Sequence, residues 1–265
     1  MKLYILNTGY LETDKNNVVG CSVIGTYSKP HIQNEWIRLP VMSFLIETDD
    51  GYILFDTGSH PDAMKGYWPE HLREIYPLYQ SEEERLENQL ALCGVTPKDI
   101  KTVVISHMHL DHAGGLHLFP HADIYVPKQD YEHALVTVHK SPNSAQHGGY
   151  VKADCEASGN FILIDEDTQI APGVRLICLP GHTPNLLGIL LELEGGAYII
   201  PQDCVYTKEI YGPPAKVSGL LYDSLSYFKS IEKVRRLQKE YNAQIIFAHD
   251  DEFFKTLRTA PEYYE

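Results

Sequence analysis

Residues 103–115 read VVISHMHLDHAGG, placing three histidines and an aspartate within six positions directly after an apolar, β-branched run. Histidine and aspartate in that density are the donors of a metal site. If the chain leaves the strand extended, His107, His109 and Asp111 point to one side, because side chains alternate along a strand. His107 and His109 can then share one ion. Asp111 and the adjacent His112 reach a common second ion only if the backbone turns there. Ala113-Gly114-Gly115 supply small residues for a tight turn into a helix with close backbone approach. The spacing therefore fits two metal sites a few ångströms apart better than one.

Further donors stand at the ends of later apolar runs: His182 in LPGHT, Asp203 in IIPQDCVY and His249 in IIFAHDD. We assign His107, His109 and His182 to one ion and Asp111, His112 and His249 to the other. Asp203 bridges, since a carboxylate has two oxygens to share. Nitrogen and oxygen donors without cysteine suit two divalent ions, zinc foremost, with iron, manganese or cobalt as alternatives. Cys204, next to Asp203 along the chain, points the opposite way and reads as a buried structural thiol. Asp56 in LFDTG is expected to be buried, bonding the histidine loop or fixing its own turn. His31, His60, His71, His117, His121, His133, His139 and His147 are given no metal role, because a lone histidine is usually a hydrogen-bonded structural residue.

Elements that could position these donors follow from hydrophobic periodicity. Short β-rich runs recur at 3–6, 41–48, 52–58, 102–106, 123–126, 161–164, 174–181, 186–194, 197–200 and 244–249. Several are apolar at consecutive positions, as expected of strands covered on both faces. ETDDGYIL and ELEGGAYII carry Asp-Gly and Gly-Gly between strand patterns and read as hairpins. A helix is predicted over 81–93, opened by the capping-box spacing Ser81-x-x-Glu84 and stopped by Gly94. A second is predicted over 224–241, with Leu225, Phe228, Ile231, Val234, Leu237 and Tyr241 as one core-facing stripe. The α/β pattern implies two βα-rich halves packed sheet to sheet with helices outside, in a single domain spanning 1–265. Segments 60–80 and 130–155 are less regular, and read as excursions over the rim of a site. Tyr67, Trp68, Tyr76 and Tyr79 are candidates for a pocket wall or for the interface of a homodimer, with surface packing as the alternative.

Composition narrows the substrate. Lys plus Arg number 22 against 36 Asp plus Glu, a net charge of -14. Such a surface repels phosphate backbones, so no nucleic-acid partner is expected. Five scattered cysteines without a C-x-x-C pair argue against a disulfide framework and for a reducing compartment. No apolar run approaches a membrane span, the N-terminal stretch reads as a strand rather than a leader, and a cytoplasmic location is expected. A small, weakly polar substrate fits best.

From LFDTG through GVTPKDIKTVVISHMHLDHAGG, PGHT and QDCVY to FAHD, the chain resembles the metallo-β-lactamase superfamily. The likeness covers most of the chain, and H-x-H-x-D-H with the later His, Asp and His is highly specific. It implies a four-layer αββα sandwich with a two-metal site at the sheet edges. Within the superfamily the sequence is most similar to the N-acyl-homoserine lactonases, through the AGG turn, the chain length and the segment after Asp203, including Tyr206. This implies a quorum-quenching hydrolase in which a hydroxide between the two ions attacks a lactone carbonyl. Tyr206 would then steady the oxyanion, and Asp111 would carry the proton to the leaving oxygen. GHTPNLLG departs from the pattern, so Asn185 and Leu186 are expected to alter substrate contacts near His182. A glyoxalase II-like thioester hydrolase is disfavoured by the 16 residues after His249, too few for a glutathione-binding region. A mononuclear-iron sulfur dioxygenase is the other enzymatic alternative. A non-catalytic binding module would require degraded donors, and all seven are present.

Overall fold

The consecutive apolar residues of VMSFLIET need cover on both faces, and the computed structural model, which describes residues 1–265, supplies it from a second sheet on one face and a helix on the other. Leu45 points outward into a cluster with Leu54, Val103, Leu86 and Leu90, whereas Phe44 and Ile46 point between the sheets to Phe55, Ile189 and Leu191. Fully burying a side chain of this size contributes about 1.5–3 kcal/mol. The alternation therefore fixes strand register as well as stability.

The strands are β1 (Lys2–Asp14), β2 (Trp36–Thr48), β3 (Gly51–Phe55), β4 (Leu78–Tyr79), β5 (Ile100–Val104), β6 (Asp123–Pro127) and β7 (Asn160–Ile164). They are followed by β8 (Thr168–Ala171), β9 (Val174–Cys178), β10 (Leu187–Leu193), β11 (Gly196–Ile200), β12 (Gln244–Ile245) and β13 (Tyr263–Tyr264). One sheet runs β13-β1-β2-β3-β5-β6-β7, with β4 pairing to β1; the other runs β12-β11-β10-β9-β8. From β3 to β7 the first sheet is parallel, so the C-terminal ends of β3 and β5 open at one edge. The expected hairpins are both formed, β2–β3 pairing Thr48 with Gly51 and β10–β11 pairing Leu193 with Gly196. Outside the first sheet lie the helices Leu86–Leu92 and Lys128–Lys140; outside the second lies Ser224–Tyr241. These are the four layers, helix, sheet, sheet and helix, that the resemblance implied. No helix is long and apolar enough to cross a membrane.

Three local expectations are corrected. The helix expected from Ser81 begins only at Leu86. Glu84 accepts the Ser81 N–H (2.8 Å) but also the Asn7 amide of β1 (3.1 Å), which holds 81–85 as a turn against the sheet. The helix 224–241 has the predicted bounds but a rotated face: Tyr227, Ile231, Val234 and Leu237 are buried, while Leu225 is 71% exposed and Phe228 39%. Rotation follows from docking on the loop that carries His182. A Cβ on Gly181 would lie 2.3 Å from the Tyr227 Cα, and the Ser230 hydroxyl donates to the Pro180 carbonyl at 2.7 Å. Finally, Ala113-Gly114-Gly115 leads into a 3-10 turn, Leu116–Leu118, rather than an α-helix. The close approach is nonetheless present: a Cβ on Gly114 would stand 2.3 Å from the His60 backbone nitrogen.

Candidate metal centre

β5 ends at Val104, and the chain beyond it does not stay extended. His112 N–H bonds back to the His109 carbonyl at 3.0 Å, and Leu110 N–H bonds to the Gly149 carbonyl at 3.0 Å. This turn carries Asp111 away from His107 and His109 and sets it beside His112. The seven predicted donors converge in two groups. His107, His109, His182 and Asp203 form one, and Asp111, His112 and His249 the other, with donor atoms within 4.8 Å of one another in each. Asp203 faces both. Its Oδ1 lies 3.0 Å from His249 Nε2 and 3.3 Å from His112 Nε2, while its Oδ2 lies 3.4 Å from His182 Nε2 and 3.6 Å from His107 Nε2.

Hydrogen bonds behind the rings select which nitrogen faces the centre. Nδ1 of His107 meets the Ser106 hydroxyl (3.0 Å), that of His112 meets Asp56 (2.7 Å), that of His182 the Leu220 carbonyl (3.2 Å) and that of His249 the Pro40 carbonyl (2.8 Å). Each of these four therefore turns Nε2 inward. His109 turns Nδ1 inward instead, 3.0 Å from Nε2 of both His107 and His182. Three imidazole nitrogens facing one another, and a buried His112 Nε2 without a hydrogen-bond partner, are arranged for cations rather than for each other. The donor set fits divalent metal ions.

Electrostatics divide the two donor groups, with His249 raised, against its burial, by Asp203 and Asp111. Burial, reinforced by the neighbouring imidazoles, holds His107 and His109 well below the usual histidine range, so both are neutral donors. Burial also depresses His182. At His112 burial acts the same way but is outweighed by Asp111, Asp203 and Asp56. Asp203 would be raised by burial, yet His112, His249 and His107 hold it well below the usual carboxylate range.

Of the two jobs expected of it, Asp56 does the first, bonding the histidine loop. Fully buried, it accepts from Ser106 N–H (2.6 Å), Ser106 Oγ (2.7 Å), His112 Nδ1 (2.7 Å) and Gln202 Nε2 (2.6 Å). Asp56 and Gln202 both occupy the left-handed backbone region, at φ 59° and 47°. Two strained residues, one from each sheet, thus bond to each other beneath the donors. Gln202 left no trace in the sequence beyond its place beside Asp203. Nor did Asp130, an acid in the first turn of helix 128–140, where such residues commonly serve the helix dipole. It is buried and accepts from Met108 N–H (2.7 Å) and the Tyr150 hydroxyl (2.6 Å), clamping the turn between His107 and His109.

Above the donors lies a cavity of about 250 Å³. Leu11, Val18, Leu39 and Leu110 make an apolar wall; His133, Tyr222 and Gly148–Tyr150 stand elsewhere on its lining, and Tyr206 also lines it. Tyr206 is buried, its ring 5.5 Å from His182 and 5.4 Å from His249, its hydroxyl 3.3 Å from His182 Nδ1. Burial and Asp203 hold the phenol well above its ordinary range, so it remains a proton donor. The excursions 60–80 and 130–155 do reach the site, through Tyr76 and through His133 and 148–150. His133, given no role from sequence, packs edge-on to Tyr222 at 5.4 Å. Of the other flagged aromatics, Trp68 is fully buried and Tyr79 stacks on Tyr10. Asn185 and Leu186 do not reach the cavity: Leu186 is core, and Asn185 bonds Gln129 at 3.1 Å. Cys204 is buried away from the donors, as expected.

Tyr67 is tied instead to Asp154, whose carboxyl burial pushes up to about 7. A folded-state value above the unfolded one means that the folded chain binds this proton more tightly. Stability from this group is full below about pH 4 and lost as pH rises towards 7, at no more than about 1.4 kcal/mol per pH unit. Asp154→Asn should therefore gain stability relative to wild type between pH 5 and 8, read as urea midpoints; parallel midpoints would contradict the assignment.

The chain matches the family model of the metallo-beta-lactamase superfamily over residues 36–249. It is 31% identical to the N-acyl homoserine lactonase AiiB of Agrobacterium fabrum, covering 100% of this chain and 99% of that one. It is also 31% identical to the N-acyl homoserine lactonase AiiA of Bacillus thuringiensis subsp. kurstaki, over 99% of this chain and 98% of that one. Among solved structures, an N-acyl homoserine lactone hydrolase with N-hexanoyl-L-homoserine at its catalytic metal centre superposes with a TM-score of 0.83. That match has 28% identity and covers 99% of this chain and 98% of the other.

Proposed function

This chain belongs to the metallo-beta-lactamase superfamily, and from that premise we propose that it is a dinuclear, metal-dependent hydrolase opening the lactone ring of N-acyl-homoserine lactones. The observation that carries the reading is Asp203 with one oxygen towards each donor group, on the floor of a cavity with an apolar wall. In this reading His107, His109 and His182 would hold one ion and Asp111, His112 and His249 the other, with Asp203 available to both. Zinc is the metal the nitrogen-rich, sulfur-free donor set favours. A cytoplasmic setting is supported by five cysteines of which none is paired. Donors drawn from both sheets support treating residues 1–265 as one functional domain.

Two bound divalent ions would supply acidified water and Lewis-acid polarisation of the ester carbonyl. The chain's own groups do the rest. Tyr206, kept protonated, donates its hydroxyl hydrogen bond to the carbonyl oxygen as negative charge develops there. Asp111 lines the cavity, its Oδ2 3.5 Å from His112 Nε2 and 3.7 Å from His249 Nε2. Its carboxylate takes the proton released by the nucleophile and returns it to the leaving ring oxygen, giving the hydroxy acid. The apolar wall of Leu11, Val18, Leu39 and Leu110 receives the acyl chain.

Tyr206→Phe should lower kcat about 10- to 100-fold with two metals still bound, the size of losing an oxyanion donor that metal partly replaces. Unchanged kinetics would remove Tyr206 from the mechanism. The function itself is tested by acid release from N-hexanoyl-homoserine lactone, a thioester and a phosphotriester. A kcat/KM at least 100-fold higher for the lactone is expected. Preference for the thioester would favour a glyoxalase II-like enzyme, and oxygen uptake with a thiol persulfide would favour the dioxygenase.

A further inference from the structure

Among the tyrosines that line the cavity, one half-buried hydroxyl is neither used by the mechanism nor bonded within the protein. Of the tyrosines on its lining, Tyr150 donates to Asp130 at 2.6 Å and the Tyr206 hydroxyl sits 3.3 Å from His182 Nδ1. Tyr222 is 59% exposed and has solvent for its hydroxyl. Tyr76 is held half-buried on the lining, and its hydroxyl, open to the cavity, has no partner in the protein. Its ring packs on the apolar cluster that contains Leu11, Val18, Leu39 and Leu110, the wall assigned to the acyl chain. Asp111 and Asp203 line the same cavity, and their charges add to burial in raising the phenol above its ordinary range. Tyr76 therefore spans the junction between the reacting centre and the apolar wall.

That place is held firmly. Tyr76 caps the C-terminus of helix Glu70–Ile75, its N–H bonded to the Leu72 carbonyl at 2.8 Å, and the segment is anchored by Trp68, fully buried, and Leu72, 4% exposed. A polar group fixed in advance at such a junction discriminates among substrates, because a ligand lacking the matching group leaves it unpaired.

An N-acyl-homoserine lactone carries a single amide, and it lies between the ring that reacts and the apolar chain. We propose that the Tyr76 hydroxyl hydrogen-bonds this amide, and so sets the preference for N-acylated lactones over simple alkyl lactones. The proposal rests on the lactonase reading above. Tyr76 is a specificity-determining residue here, and no proton is transferred through it.

The test compares kcat/KM for N-hexanoyl-homoserine lactone with that for γ-nonalactone, which has ring and chain but no amide, in wild type and Tyr76→Phe. The variant keeps the ring on the wall and removes only the hydroxyl. Its preference for the N-acylated substrate should fall about 3- to 10-fold, the worth of one neutral hydrogen bond. An unchanged ratio, whether both rates stay or both fall together, overturns the proposal. Wild type inactive on both lactones would instead refute the lactonase reading, so the two failures are separable.

Discussion

Asp111→Asn should reduce lactone opening by about 10²- to 10⁴-fold, the range of general acid–base contributions, while the protein still binds two metal ions. The substitution preserves shape and one oxygen that can face a cation, but removes the group able to hold a proton. Asp111 stands with His112 and His249 and also lines the cavity, so one carboxylate faces both the metal donors and the substrate space. Metal content by mass spectrometry or inductively coupled plasma analysis separates the two duties. An Asp111→Asn protein with full metal and a rate within threefold of wild type would end the proton-carrying role.

Asp203→Asn should have the second large effect, and a different one. Asp203 is the anionic group between the two donor sets, and it is buried among four imidazoles. An amide offers one acceptor oxygen and presents N–H to the other side, where a cation and an imidazole belong. The variant should bind fewer than two metals at micromolar concentration and lose at least 10³-fold in activity. It should also lose most of the rise in thermal midpoint that added metal gives wild type, because that rise scales with affinity. Removing one partner of a buried charged cluster further costs about 3–5 kcal/mol. Wild-type metal content and a wild-type thermal shift would contradict the bridging position.

The metal donors were legible in the sequence because each stands at the end of an apolar run, where a strand delivers its last residues to one sheet edge. H-x-H-x-D-H is dense enough to be read without a partner; His182, Asp203 and His249 gained meaning from it. Their division into two groups was legible because Asp111 and His112 are adjacent and need a turn to cooperate, and His112 N–H to His109 O is that turn. Supporting residues were less visible. Asp130 and Gln202 act through contacts 22 and 146 positions away along the chain, and no local pattern encodes such partners. The buried face of helix 224–241 is set by a similarly distant contact. Periodicity alone favours any stripe containing Ile231 and Val234, and only the closeness of Gly181 to Tyr227 decides that Leu225 turns to solvent. His133 was passed over because a single histidine on a polar helix has no distinguishing neighbour in sequence.

Two metal ions, held through Asp203, would make one lactone-opening centre. Its most direct test is titration of metal-free protein with zinc, following bound metal by calorimetry and acid release from N-hexanoyl-homoserine lactone in the same samples. Binding should saturate at two ions per chain, with hydrolysis reaching its plateau only as the second site fills. Full activity at one ion per chain, or two ions bound without lactone opening, would contradict it.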